Sequence, residues 1–146
     1  MEIIPEKEQA WFQQILERSK DTFWDLVGLR LELHPEDPEQ PFMLVLQAER
    51  QHMNPAGILH GGVTATMLDT VMGLTVMRRI PGKFAVTTNM NVNYVAPLRP
   101  GTVKASAKIL HQTRFTFTAE GRICDGDGVL AAIGIGSFRV AESLSK

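Results

Sequence analysis

The stretch 54-NPAGILHGGVTATMLDTVMG-73 holds the residues of this chain whose types and spacing suit chemistry. Asp69 is the only charged residue between Gly61 and Met77. An unpaired carboxylate is expensive to bury, so it must find partners in the fold. At helical spacing its neighbours are Thr66 and Met72 three residues away, and Ala65 and Gly73 four away. The small ones, Ala65, Thr66 and Gly73, make a shallow strip beside the acid, open to a ligand or to another helix. The entrance His60, Gly61, Gly62 adds a second group: a glycine in the first turn leaves its N–H accessible where the helix dipole favours developing negative charge. Acyl transfer to water needs such a donor for the carbonyl oxygen, together with a carboxylate that attacks or activates water. Each feature also has a plainer reading. Asp69 is equally a hydrogen-bonded buried acid with a packing role, and the HGG sequence a tight turn with His60 as a satisfied surface or interface side chain.

Geometry sharpens the choice. Gly61 and Asp69 are eight residues apart (61 to 69), so on one helix they are separated by about 12 Å along the axis. They cannot meet on one carbonyl. If both act on the same bond, two chains contribute, one giving the helix entrance and the other the acid, as a two-fold dimer does twice.

The elements that must position these groups follow from periodicity. From Pro5 to about Lys20, Trp11, Phe12, Ile15 and Leu16 fall at helical spacing between charges, an amphipathic N-terminal helix opened by proline. Leu29, Leu31 and Leu33, then Phe42, Leu44 and Leu46, alternate with their neighbours as two strands joined by the exposed turn HPEDPEQP. Residues 61 to 79 are too long and too continuously apolar for a strand, which predicts a buried central helix. Beyond PGK the period becomes two: Met90, Val92 and Tyr94 form a core face against Asn89, Asn91 and Asn93. Val103, Ala105, Ala107 and Ile109 mark a further strand, Phe115 and Phe117 another starting near Arg114, and VLAAIGIGSFRV the last, after the hairpin signal CDGDG. Gly134 and Gly136 in that strand suggest a bend. About six strands with one long helix and no βαβ alternation predict an α+β fold, a largely antiparallel sheet curving around the central helix.

Composition excludes much else. At 146 residues and 44% apolar content the chain reads as a single domain over 1–146. Fifteen basic and sixteen acidic residues, net charge −1, give no bulk charge for a nucleic-acid or membrane partner. The single Cys124 and the charged N-terminus predict a reducing, cytoplasmic setting and a soluble protein. His34, His52, His60 and His111 lack metal-ligand spacing, so no metal is expected, and neither GxSxG nor GxGxxG occurs. Arg78, Arg79 and Lys83 follow the central helix, as dipole-compensating side chains or phosphate contacts. Met53, Met67, Met72 and Met77 either line a flexible apolar pocket or fill core.

NPAGILHGGVTATMLDTVMG followed by TTNMNVNYVAPLRPG resembles the hotdog-fold acyl-CoA thioesterases, in particular the group typified by the phenylacetate-pathway thioesterase. The resemblance covers about residues 26 to 140. It implies Asp69 as the catalytic nucleophile or general base, and the Gly61 N–H as donor to the thioester oxygen. Asn54 and His60 would stand near the same carbonyl and sulfur. It implies Thr87 as the hydroxyl that helps hold the attacking water, although Thr88 is adjacent and a one-residue shift exchanges faces. It also implies an acyl-CoA substrate, aryl or medium-chain, no bound cofactor, and homodimers with shared sites, often paired into tetramers. Gly62, Thr66, Arg78, Arg79, Lys83, Arg99 and Arg114 are candidates to hold the substrate or its nucleotide end. A non-catalytic acyl-CoA-binding module on the same fold is the alternative. A DNA-linked sensor is not expected, because the segment ahead of Leu29 is short and not basic.

Overall fold

The computed structural model describes residues 5–142. Helix α1 (Glu6–Ser19) starts at Pro5, with Glu6 and Glu8 in its first turn and Arg18 in its last, charges that oppose the dipole. It buries Phe12 and Ile15. A short helix absent from the sequence prediction, α2 (Phe23–Val27), ends at Gly28, whose φ of 91° needs glycine. Strands β1 (Arg30–Leu33) and β2 (Phe42–Ala48) pair across the proline-rich turn, then a 3₁₀ turn at Arg50–His52 leads into the loop before α3 (Gly61–Arg78). Four strands follow, β3 (Phe84–Tyr94), β4 (Gly101–Gln112), β5 (Thr116–Asp125) and β6 (Leu130–Ala141). All pair antiparallel in the order β1-β2-β4-β5-β6-β3. α3 therefore carries the chain from β2 to the far edge of the sheet, lying across its inner face.

That crossing sets the composition of the sheet. Met67, Leu68, Val71, Met72 and Val76 of α3 are fully buried, and the strands beneath offer Ala105, Ala119, Ala132 and glycines. A Cβ on Gly121 would fall 2.9 Å from Leu68, on Gly134 3.1 Å from Leu68, and on Gly136 2.8 Å from Phe138 and 3.0 Å from Met72. Gly134 and Gly136 thus mark close approach of helix to sheet within a continuous ladder, in place of the expected bend.

Three expectations need correction. α3 is less enclosed than the buried helix predicted, since Ala65, Thr66, Asp69, Thr70, Gly73 and Met77 are only half-buried. β5 begins at Thr116, because the Thr113 hydroxyl accepts from the N–H groups of Phe115 (3.3 Å) and Thr116 (3.1 Å) and turns the chain. Arg114 and the exposed Phe115 lie in that bend. Tyr94 is 58% exposed, not part of the core face.

Candidate active site

The groups at the entrance of α3 are held by local hydrogen bonds. Asn54 accepts at Oδ1 from the N–H of Ala56 (2.9 Å) and of Ile58 (3.3 Å), an Asx turn that fixes its amide. The Nδ2 hydrogens keep no partner among the described residues. Buried His52 anchors this loop. Its Nδ1 accepts from the Glu49 N–H, its Nε2 donates to the Val27 carbonyl, and its own carbonyl accepts from the His60 N–H. His60 caps the helix by accepting the Gly62 N–H at Nδ1, 2.8 Å, which places the neutral ring's proton on Nε2. The Gly61 N–H is left unpaired among the described residues.

Tyr94 completes the entrance. Its hydroxyl donates to the Gly61 carbonyl at 2.8 Å, and a Cβ on Gly61 would lie only 3.3 Å from its ring. A cleft of about 360 Å³ opens here, lined by Asn54, Gly61, Tyr94 and the apolar Ile58, Leu98 and Ala131. Sequence reasoning placed Tyr94 in the core. Its signal was the polar tip of the chain's one tyrosine at a strand end.

Asp69 borders a different cleft, of about 300 Å³, between α3, β3 and the α1–α2 segment. Thr87 donates its hydroxyl to Asp69 Oδ1 at 2.6 Å, a charge-assisted bond. Thr88 does not reach the acid and donates to the Ser137 carbonyl at 3.1 Å. A β-bulge decides between them: Thr87 pairs with Phe138 and Asn89 with Ser137, so Thr88 is the extra residue. Counting back by twos from the inward Met90 would have turned Thr88 to the acid. Ile15, Arg18 and Trp24, from segments read only as packing or not read at all, also line this cleft, with the Arg18 guanidinium 5.4 Å from the centre of the Phe84 ring.

One chain thus brings Asn54, His60 and Gly61 together at the helix entrance and Asp69 with Thr87 in the middle, and keeps the two sets apart. Thr66 donates to the Gly62 carbonyl at 2.8 Å. The basic candidates stand elsewhere: Arg78 pairs with Glu8, Arg79 donates to Gln112 at 3.0 Å, Lys83 pairs with Glu142 at 3.2 Å, and Arg114 stacks on Phe115. Arg78 and Arg79 line a separate concavity with Lys108, and Arg99 another. Met67 and Met72 are core, whereas Met77 lines the Asp69 cleft. Among the described residues no helix is long and apolar enough to cross a membrane.

Residues 56–132 match the family described as the thioesterase superfamily, a span that takes in Gly61, Asp69, Thr87 and Tyr94. The chain belongs to the thioesterase superfamily. Its six-stranded antiparallel sheet around one helix is the hotdog fold of solved thioesterases. Thioesterase HI1161 from Haemophilus influenzae superposes with a TM-score of 0.82 at 20% identity, over 91% of this chain and 92% of that one. The BH2602 protein from Bacillus halodurans, solved with CoA, superposes with a TM-score of 0.77 at 30% identity, over 96% of this chain and 97% of that one. Acyl-coenzyme A thioesterase 13 from mouse is 37% identical over 68 residues, 46% of this chain. The match spans 49% of that mouse protein's length and 65% of its human namesake's. In this superfamily member Asp69, His60 and Gly61 lie inside the matched segment, while Asn54 and the α1–α2 wall of the Asp69 cleft lie outside it.

Proposed function

We propose that the protein is an acyl-CoA thioesterase, hydrolysing an aryl or medium-chain acyl-CoA to a free acid and coenzyme A. The observation that carries this reading is Asp69 beside an open cleft, held at one oxygen by Thr87 while its other oxygen has no partner among the described residues. Asp69 Oδ2 either attacks the thioester carbonyl carbon or takes a proton from a water that does. The C–S bond breaks and the sulfur leaves as thiolate. In the first case the acyl–Asp69 anhydride is then hydrolysed by water; in the second the water oxygen joins the acyl carbon directly. In both, the proton released by that water neutralises the thiolate or leaves with solvent. The Gly61 N–H, with the Asn54 amide, donates to the carbonyl oxygen as negative charge builds there.

A second copy of the chain completes this site. The sheet ends on β3, whose outer edge carries unpaired backbone groups and whose Val86 is 43% exposed. Joining two β3 edges would bring the entrance of one chain to the acid of the other, an arrangement supported by the about 12 Å between Gly61 and Asp69 along one helix if both act on one bond. The Bacillus halodurans relative solved with CoA supports the substrate class.

The direct test is release of free thiol from a panel of acyl-CoAs by the unmodified protein and by Asp69→Asn. Equal rates in the two would remove Asp69 from the reaction, and binding without turnover would favour an acyl-CoA-binding module. In a single turnover in ¹⁸O-water, label on Asp69 with unlabelled acid product would establish a nucleophilic Asp69 whose acyl anhydride is opened at the Asp69 carboxyl carbon. Mixing Asp69→Asn with Asn54→Ala should restore part of the activity through hybrid dimers. No restoration despite demonstrated subunit exchange would locate the site within one chain.

A further inference from the structure

Gly73 is a glycine that packing does not require. In a helix interior glycine is less stable than alanine. At Gly121, Gly134 and Gly136 a Cβ would approach other atoms to 3.1 Å or less, so a side chain there would force its neighbours to shift. At Gly73 the nearest such atom is Phe138 Cε1 at 3.7 Å, an ordinary contact, and the backbone is helical. Neither space nor conformation excludes a side chain.

What Gly73 does border is the Asp69 cleft, one helical turn beyond the acid on the same stripe of α3. The stripe continues to Met77, so from Asp69 to Met77 it runs about 12 Å along the helix axis. Past the acid, Ile15, Trp24, Leu74, Met77, Phe84 and Phe138 give the cleft apolar walls. A volume of about 300 Å³ lies at the lower end of the range for small-molecule pockets.

We infer that this groove receives the acyl chain or aryl ring of the substrate, running from Asp69 toward Met77, and that Gly73 sets how much of it fits. The inference rests on the thioesterase reading and adds a specificity-determining position to it. The missing side chain is room that the substrate fills, and the α1–α2 segment, through Ile15 and Trp24, forms the opposite wall.

The test is kcat/KM for straight-chain acyl-CoAs of increasing length and for phenylacetyl-CoA, measured on the unmodified protein, Gly73→Ala and Gly73→Val. Removing one methylene's worth of room from an apolar pocket changes kcat/KM by about tenfold or more. The ratio of kcat/KM for the longest accepted chain to that for acetyl-CoA should therefore fall about tenfold in Gly73→Ala and further in Gly73→Val. The Tm of Gly73→Ala should rise, because a helical glycine is replaced without a clash, so a lower ratio is not a folding defect. Should the valine variant fail to fold, the alanine variant decides. An unchanged ratio with turnover intact overturns the inference alone. A changed oligomeric mass with an unchanged ratio also overturns it, making the small residue a seat for a second chain. No turnover by the unmodified protein overturns the thioesterase reading and this inference with it.

Discussion

The two faces of α3 use small residues for opposite ends. Toward the sheet, Leu68 and Met72 press into strands where a methyl group on Gly121, Gly134 or Gly136 would force a neighbour to move. Away from it, Asp69, Gly73 and Met77 border open space, and glycine there is a matter of capacity. A close-packed interior feels a change of one methylene, whereas a cleft wall transmits the same change to whatever binds. The lesson is that a glycine's meaning lies in what its Cβ would meet, which the sequence does not display.

The contrast can be broken in measurable steps. Asp69→Asn should lower kcat for thioester hydrolysis by roughly 10²- to 10⁴-fold with little change in Tm, the signature of a site residue. A large fall in Tm would reassign Asp69 to packing. On the other face, Gly136→Ala should cost about 1–3 kcal/mol in urea unfolding, because the new methyl meets the buried Phe138 ring. A neutral result would show that the sheet yields easily and that the two faces differ less than their distances suggest. Thr87→Ala removes a bond to a carboxylate worth about 1.5–3 kcal/mol, so kcat should drop roughly 10- to 100-fold. Thr88→Ala, one residue along, should change kcat less than about twofold, since its hydroxyl serves only the Ser137 carbonyl. Equal losses in the two variants would remove the bulge from the account.

The smallest effect is expected outside both faces. Glu32 bonds Lys104, which lowers its carboxyl below the usual carboxylate range, with burial opposing that shift and the Lys104 and His34 charges adding to it. A folded pKa below the unfolded one contributes stability above the unfolded pKa, near 4.5. That contribution disappears as pH falls through the depressed value. Glu32→Gln should therefore cost a few tenths of a kcal/mol at pH 7, given a half-exposed pair, and progressively less as pH falls below about 4.5.

Much of the fold was legible because hydrophobic period is a local signal. The α+β class, six strands and a helix from Gly61 appear in the alternation of Leu46 with Gln47 or Ala105 with Ser106, and in the apolar run around Asp69. Clefts are not local. α2, the Arg18 and Trp24 wall, and the place of Tyr94 over Gly61 arise only when segments distant in sequence meet. The candidate nucleotide-binding cations were drawn from sequence alone, and in the fold Arg78, Arg79, Lys83 and Arg114 are engaged with Glu8, Gln112, Glu142 and Phe115, while Arg99 lines a separate concavity. Thr87 could not be separated from Thr88 by counting, because a bulge changes the count without altering composition.

That bulge also ties the two clefts together. Thr87 meets Asp69 and Tyr94 meets Gly61 from one strand, yet they stand seven positions apart (87 to 94), an odd interval that regular pleating sends to opposite sides. Thr88 acts as the single half-step that brings both ends of β3 into phase. A chain lacking that one residue would still have a strand, but it would have to choose which cleft the strand serves.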